Sequence, residues 1–93
     1  MPDSKHPFVS WHACLRWDER TPPTSVSPER AWASAVRVCG PERDMGGDET
    51  RVHRPTGTVL LRVSNAIVTV LDAGEVGRES RELVEPVLEE ATV

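Results

Sequence analysis

"TRVHRPTGTVLLRVSNAIVTVLDA", residues 50–73, decides how this chain folds. Three runs rich in β-branched residues stand in it, each bounded by turn-forming residues. Thr50–Arg54 leads into the turn Pro55-Thr56-Gly57. Thr58–Ser64 and Ile67–Ala73 then flank Asn65-Ala66 and read as a hairpin. The three predict an antiparallel meander. Side-chain alternation puts Val59, Leu61 and Val63 on one side of the middle strand and Leu60 and Arg62 on the other. The middle strand is apolar on both sides at "VLL", which suits a central position.

Toward the C-terminus the period changes from two to about 3.6 residues. "GRESRELVEPVLEEATV" predicts a polar helix over about 77–91, with Leu83, Val84, Val87 and Leu88 as its apolar stripe and Pro86 weakening it. Toward the N-terminus, Ser27, Pro28 and Glu29 form a helix start: a capping hydroxyl, a proline at the first helical position and an acid at the positive end. The helix is expected to run on through Ala31, Trp32, Ala35, Val36 and Val38 until Gly40-Pro41 ends it. "ERDMGGDE" then reads as a loop. Before it, "SWHACLRWDER" (Ser10–Arg20) is an amphipathic helix stopped by Pro22 and Pro23. His6–Ser10 is a short strand or extended lead-in with Pro7 at its start. The expected fold is therefore α+β: a short N-terminal strand, two helices packed on an antiparallel three- to four-stranded meander, and a C-terminal acidic helix.

Ninety-three residues make one domain, spanning 1–93, with its core at about 7–73. No apolar run reaches the ~20 residues of a membrane span. The start "MPDSKHPF" lacks a basic-then-apolar signal pattern, so a cytoplasmic location and no membrane partner are expected. Cys14 and Cys39 are not spaced as a redox pair and are expected to be reduced thiols. The formal charge is −4, but it is unevenly spread. From Leu71 onward seven acids face two arginines, leaving a net −5, whereas residues 1–70 carry a net +1. Ten of the eleven basic residues are arginine, as a GC-rich or halophilic host would favour. Arginine also presents a planar fork that matches phosphate and carboxylate.

The first helix holds the most suggestive constellation. His12, Arg16, Glu19 and Arg20 share one arc, while Ala13, Cys14 and Trp17 share another. A histidine can exchange a proton at neutral pH, neighbouring arginines can hold a phosphodiester, and Glu19 can orient either. The same spacing also fits a solvated face laced by Glu–Arg pairs. In the first meander strand Arg51 and His53 share a face, with Arg54 following and Arg62 within reach on the next strand. That face suits an RNA backbone, or simply carries solvated charges. Together the sets contain what metal-independent RNA cleavage needs: a base for the 2′-hydroxyl, an acid for the leaving oxygen, and cations for the phosphate. His6, His12, Cys14 and His53 have no recognised metal-ligand spacing, and no glycine-rich phosphate loop is present, so neither a metal nor another cofactor is expected. Trp17 and Trp32 fall at helical core spacing, whereas Trp11 is open to a stacking role.

Ser10, His12, Ala13, Arg16, Glu19 and Arg20, followed by the three-strand stretch ending in "IVTV", resemble small RelE-related toxin domains of the barnase–EndoU–colicin–RelE type of fold. The wording "RWDERTPP…SPERAW" is similar to haloarchaeal RelE-related sequences. The resemblance covers about residues 7–73 and implies a metal-independent endoribonuclease, with RNA as substrate and an antitoxin or other protein as partner. It places His12, Arg16 and Arg20 near the site, with Arg51, His53 and Thr69 contributed by the sheet. His12 and His53 would act as acid and base, assisted by Arg16; Arg20, Arg51, Arg54, Arg62, Glu19 and Thr69 would bind substrate. Ribosome-dependent members use a C-terminal aromatic and several basic side chains, whereas this chain has no tyrosine and one lysine. The alternative is a non-catalytic module of a virus or mobile element that binds nucleic acid or protein through the same fold.

Overall fold

The strands expected from residues 50–73 form the centre of a larger sheet. The computed structural model describes residues 7–23 and 26–90. In chain order the elements are β1 (Phe8–Val9), α1 (Trp11–Arg20), α2 (Pro28–Ser34), β2 (Val36–Val38), α3 (Pro41–Met45), β3 (Glu49–His53), β4 (Thr58–Val63), β5 (Ala66–Asp72), a 3₁₀ turn (Ala73–Glu75) and α4 (Arg78–Glu90). The five strands lie in the order β1-β5-β4-β3-β2. All neighbours pair antiparallel except β1, which runs parallel to β5 through Phe8–Ala66 and Val9–Ile67. The class is α+β, as expected, but the sheet is mixed and has five strands. His6 falls outside the described residues.

Two details depart from the expected layout. The second helix does not continue to Val38: it ends at Ser34, and Val36–Val38 pairs with Thr50–Val52 as an edge strand. Val36 and Val38 are β-branched and lose rotamer freedom in a helix, while pairing with β3 gives both a packed face. Pro41 begins a one-turn helix rather than ending one. The C-terminal helix expected over about 77–91 is present as α4, with Pro86 inside it.

The sheet is covered on both faces, which explains the apolar run "VLL". Leu60, Ile67 and Val70 pack on one face against Ala13 and Trp17 of α1 and Ala31 and Trp32 of α2. Val38, Val52 and Val59 pack on the other face with Val76 and Val84, and Val87 and Leu88 of α4 close over them. The acidic helix thus lies on the face opposite α1 and α2. Ile67 and Val70 reach the same core because a bulge opposite Leu61/Arg62 accommodates one extra residue in β5, so alternation skips Val68. Gly47 lies so close to Leu61 that an added Cβ would sit 2.3 Å from its Cδ1; this lets the chain turn tightly into β3. No helix among the described residues is long and apolar enough to cross a membrane.

Candidate functional site

The face of α1 that sequence singled out is in place, but its members have different commitments. Ser10 caps the helix by accepting a hydrogen bond from the Ala13 N–H at 3.1 Å. His12 is exposed. Arg16 donates to Glu19 at 2.9 Å and keeps 40% of its side chain exposed. Arg20 is engaged elsewhere: its Nε and Nη2 grip both carboxylate oxygens of Glu75 at 2.6 and 2.7 Å, and Nη1 reaches Glu19 at 3.1 Å. The Arg20 fork and the Asp72 backbone N–H hold the Glu75 carboxyl down to about 2. Arg20 therefore ties the end of α1 to the turn before α4.

A denser cluster stands on the sheet. Glu49, Arg51 and His53 alternate onto the α1/α2 face of β3, with Arg62 opposite Glu49 and Arg37 opposite Arg51. Glu49 is only 8% exposed, and its two oxygens take Arg51 Nε at 2.7 Å and Arg62 Nε at 3.1 Å. Arg37 stands 4.0 Å away with 61% of its side chain exposed. Arg51 is fixed further by donating to the Trp32 carbonyl at 2.8 Å and by stacking its guanidinium 4.3 Å from the Trp32 ring centroid. Arg62 also donates to the Ser64 carbonyl, while the Ser64 N–H donates to Asp48 at 2.6 Å. Burial pushes the Glu49 carboxyl up. The hydrogen bond and charge of Arg51, the hydrogen bond of Arg62 and the charge of Arg37 outweigh it and hold the group below its ordinary value. One carboxylate faces three guanidiniums, so the cluster carries a local excess of two positive charges.

His53 has a different environment from His12. Its ring lies 5.7 Å from that of Trp17 and its Nδ1 shares a 2.8 Å hydrogen bond with Thr56 Oγ1, which in turn pairs with Thr58. It is 5% exposed, and burial lowers its pKa from 6.5. Since Trp17 faces the sheet and His12 lies about 140° around the helix from it, the structure does not bring the two histidines together. Thr69 is also separated from the arginines: it pairs with Leu61, on the α4 face of the sheet. Arg54 sits half-buried where β3 enters its turn.

His53, Glu75 and Glu49 give a stability signature in acid. His53 is held neutral in the fold, so its contribution is complete above 6.5 and is lost as pH falls through its lowered folded value. Glu75 is held ionised, so its contribution is present above 4.5 and disappears as pH falls toward about 2. Urea midpoints measured from pH 8 to pH 2 should therefore fall in two stages. His53→Gln should remove the first; Glu75→Gln should shrink the second and leave the share of Glu49, which is also held ionised.

The sheet set and the start of α1 share one end of the molecule. Val9, Ile67, Arg62 and Glu49 are successive cross-strand partners across β1, β5, β4 and β3. Three inter-strand spacings, roughly 14 Å, thus separate Val9 from Glu49. Ser10, whose N–H donates to Ile67 at 3.0 Å, starts α1 beside that row. Glu49 and Arg37 are the members that sequence reading missed. Starting the strand one residue earlier, at Glu49, would have shown the Glu-x-Arg-x-His alternation; Arg37 was hidden by the overlong second helix. Among the described residues no group of three or more His, Cys, Asp or Glu side chains could hold a metal ion. Cys14 and Cys39 are free thiols.

A family model described as "Putative RelE superfamily toxin domain" matches residues 9–74, from the second residue of β1 into the turn after β5. The matched stretch holds the complete α1 face and the Glu49 cluster and leaves out α4. Comparison with curated proteins and with solved structures gives no match. The match spans well over half of the chain, which therefore belongs to the RelE superfamily toxin-domain family.

Proposed function

We propose that this domain is a metal-independent endoribonuclease and that it holds the RNA phosphodiester at the arginine cluster of the sheet, not on α1. The observation that carries this reading is the convergence of Arg37, Arg51 and Arg62 on the single carboxylate of Glu49. Arg51 and Arg62 are fixed in orientation by backbone carbonyls as well as by Glu49. Such preorganised cations stabilise the charge that develops on a phosphorane without reorganising during the step. Arg37, the most exposed of the three, is placed for first capture of the backbone.

Glu49 stays ionised between the guanidiniums and is the proton acceptor in this reading. It takes the proton of the ribose 2′-hydroxyl as that oxygen attacks phosphorus; the bond to the 5′-oxygen breaks, and that oxygen takes a proton from water. The products are a 2′,3′-cyclic phosphate and a 5′-hydroxyl end. His12, at the start of α1 and so at the same end of the sheet, would then bind the flanking backbone; Arg16 lies further along α1, toward Glu75. Buried His53 would set the packing of β3 against α1.

Cleavage of end-labelled total RNA in EDTA tests the reading. The wild type is expected to leave cyclic-phosphate ends. Arg37→Ala should weaken RNA binding several-fold with little change in stability, and should reduce the salt dependence of binding by about one counterion. RNA binding without any cleavage would favour the non-catalytic module, which the same cluster also serves.

A further inference from the structure

Trp11 is 78% exposed, although it is among the largest apolar side chains in the chain. Trp17 and Trp32 are 3% and 2% exposed and belong to the core. A tryptophan left this open at the first position of a helix contributes almost nothing to folding. Its neighbours one turn along α1 are Cys14 and the exposed Leu15, while the Glu49 arginines stand across the sheet row that starts at Val9. An exposed aromatic face on the same edge as a phosphate-gripping cluster matches what an unpaired nucleobase requires.

We propose that Trp11 is a stacking platform for an unpaired base of single-stranded RNA that flanks the phosphodiester held by Arg37, Arg51 and Arg62. This rests on the reading of that cluster as the phosphate site, and it narrows the substrate to single strands. In a duplex the bases are stacked on one another and their faces are closed to a side chain. A separated strand can lay one base on the Trp11 ring while its backbone follows the cations toward the sheet. Stacking of this kind tolerates any base, because each has a π-face, so little sequence preference is expected from it.

The burial difference among the three tryptophans provides the readout. Emission accessible to iodide comes from Trp11. A 2′-O-methyl oligonucleotide, which lacks the nucleophilic hydroxyl and cannot be cleaved, is titrated into wild type, Trp11→Ala, Trp11→Phe and Arg37→Ala at low salt. Saturable quenching is expected in the wild type with the single strand and not with the matching duplex. Trp11→Ala should lose the quenching and bind about tenfold more weakly, with an unchanged urea midpoint; Trp11→Phe should recover most of the affinity. Wild-type binding without quenching, at the affinity of Trp11→Ala, overturns the platform and leaves the arginine site standing. Failure of any oligonucleotide to bind overturns the functional reading and this inference together. Protection from iodide that grows with protein concentration alone would assign Trp11 to contact with a second copy and also overturn the proposal.

Discussion

Glu49→Gln is expected to lower RNA cleavage by about a hundredfold or more, the usual scale for loss of a positioned general base. The amide has nearly the same shape but cannot take the 2′-hydroxyl proton, and one of its two positions now presents N–H donors to arginines that are themselves donors. Binding should change much less, since removing one negative charge among three guanidiniums raises the local positive excess. A kcat that falls while KM holds therefore separates a proton acceptor from a purely structural carboxylate, whose loss would disturb both. The pH–rate profile adds a second criterion. With its carboxyl held below 4.5, Glu49 should keep the wild type active through mildly acidic pH, with the acid limb below that value. Glu49→Gln retaining cleavage within threefold of wild type would remove Glu49 from the chemistry.

The largest stability effect is expected at Trp32. Its ring is fully packed between α2 and the sheet, and deleting it should cost about 3–5 kcal/mol. A domain of this size has a total stability of only several kcal/mol, so Trp32→Ala should be largely unfolded at 37 °C. The same ring supports the Arg51 guanidinium, so the core and the proposed phosphate site are coupled at this position. Trp32→Phe should fold and keep the carbonyl that accepts from Arg51, while presenting a weaker aromatic face. Urea titrations of the two variants decide the matter: a midpoint for Trp32→Ala near that of wild type would mean that this packing contributes little.

How far the sequence could be read follows from which interactions are local. The β3–β5 meander was visible because alternation and turn residues act within a few positions of one another. The parallel pairing of β1 with β5 joins residues 58 apart, and nothing around Val9 announces its partner. At Val36–Val38 two periods fit equally well: Ala31, Ala35 and Val38 continue a helical stripe, while Val-Arg-Val alternates as a strand. Tertiary pairing with β3 resolves the ambiguity. The α1 constellation was legible as a shared face, but helical spacing cannot show that Glu75, 55 residues later, captures Arg20. His53 was assigned chemistry because its strand partners were charged; its exposure depended on Trp17 from another element. In each case the residue type was read correctly and the missing information was its non-local neighbour.

The placement of α4 has an electrical consequence. Its described outward ridge carries Glu79, Glu82, Glu85 and Glu89, while the arginine cluster occupies the opposite side of the sheet. Charge of opposite sign on opposite faces gives the folded chain a lasting dipole moment despite its modest net charge of −4. In the field of a polyanion such a molecule turns before it touches, within a Debye length of roughly 10 Å at 0.1 M salt. On the proposed reading, the acidic helix would act without contacting RNA, by making approach from the wrong side unfavourable.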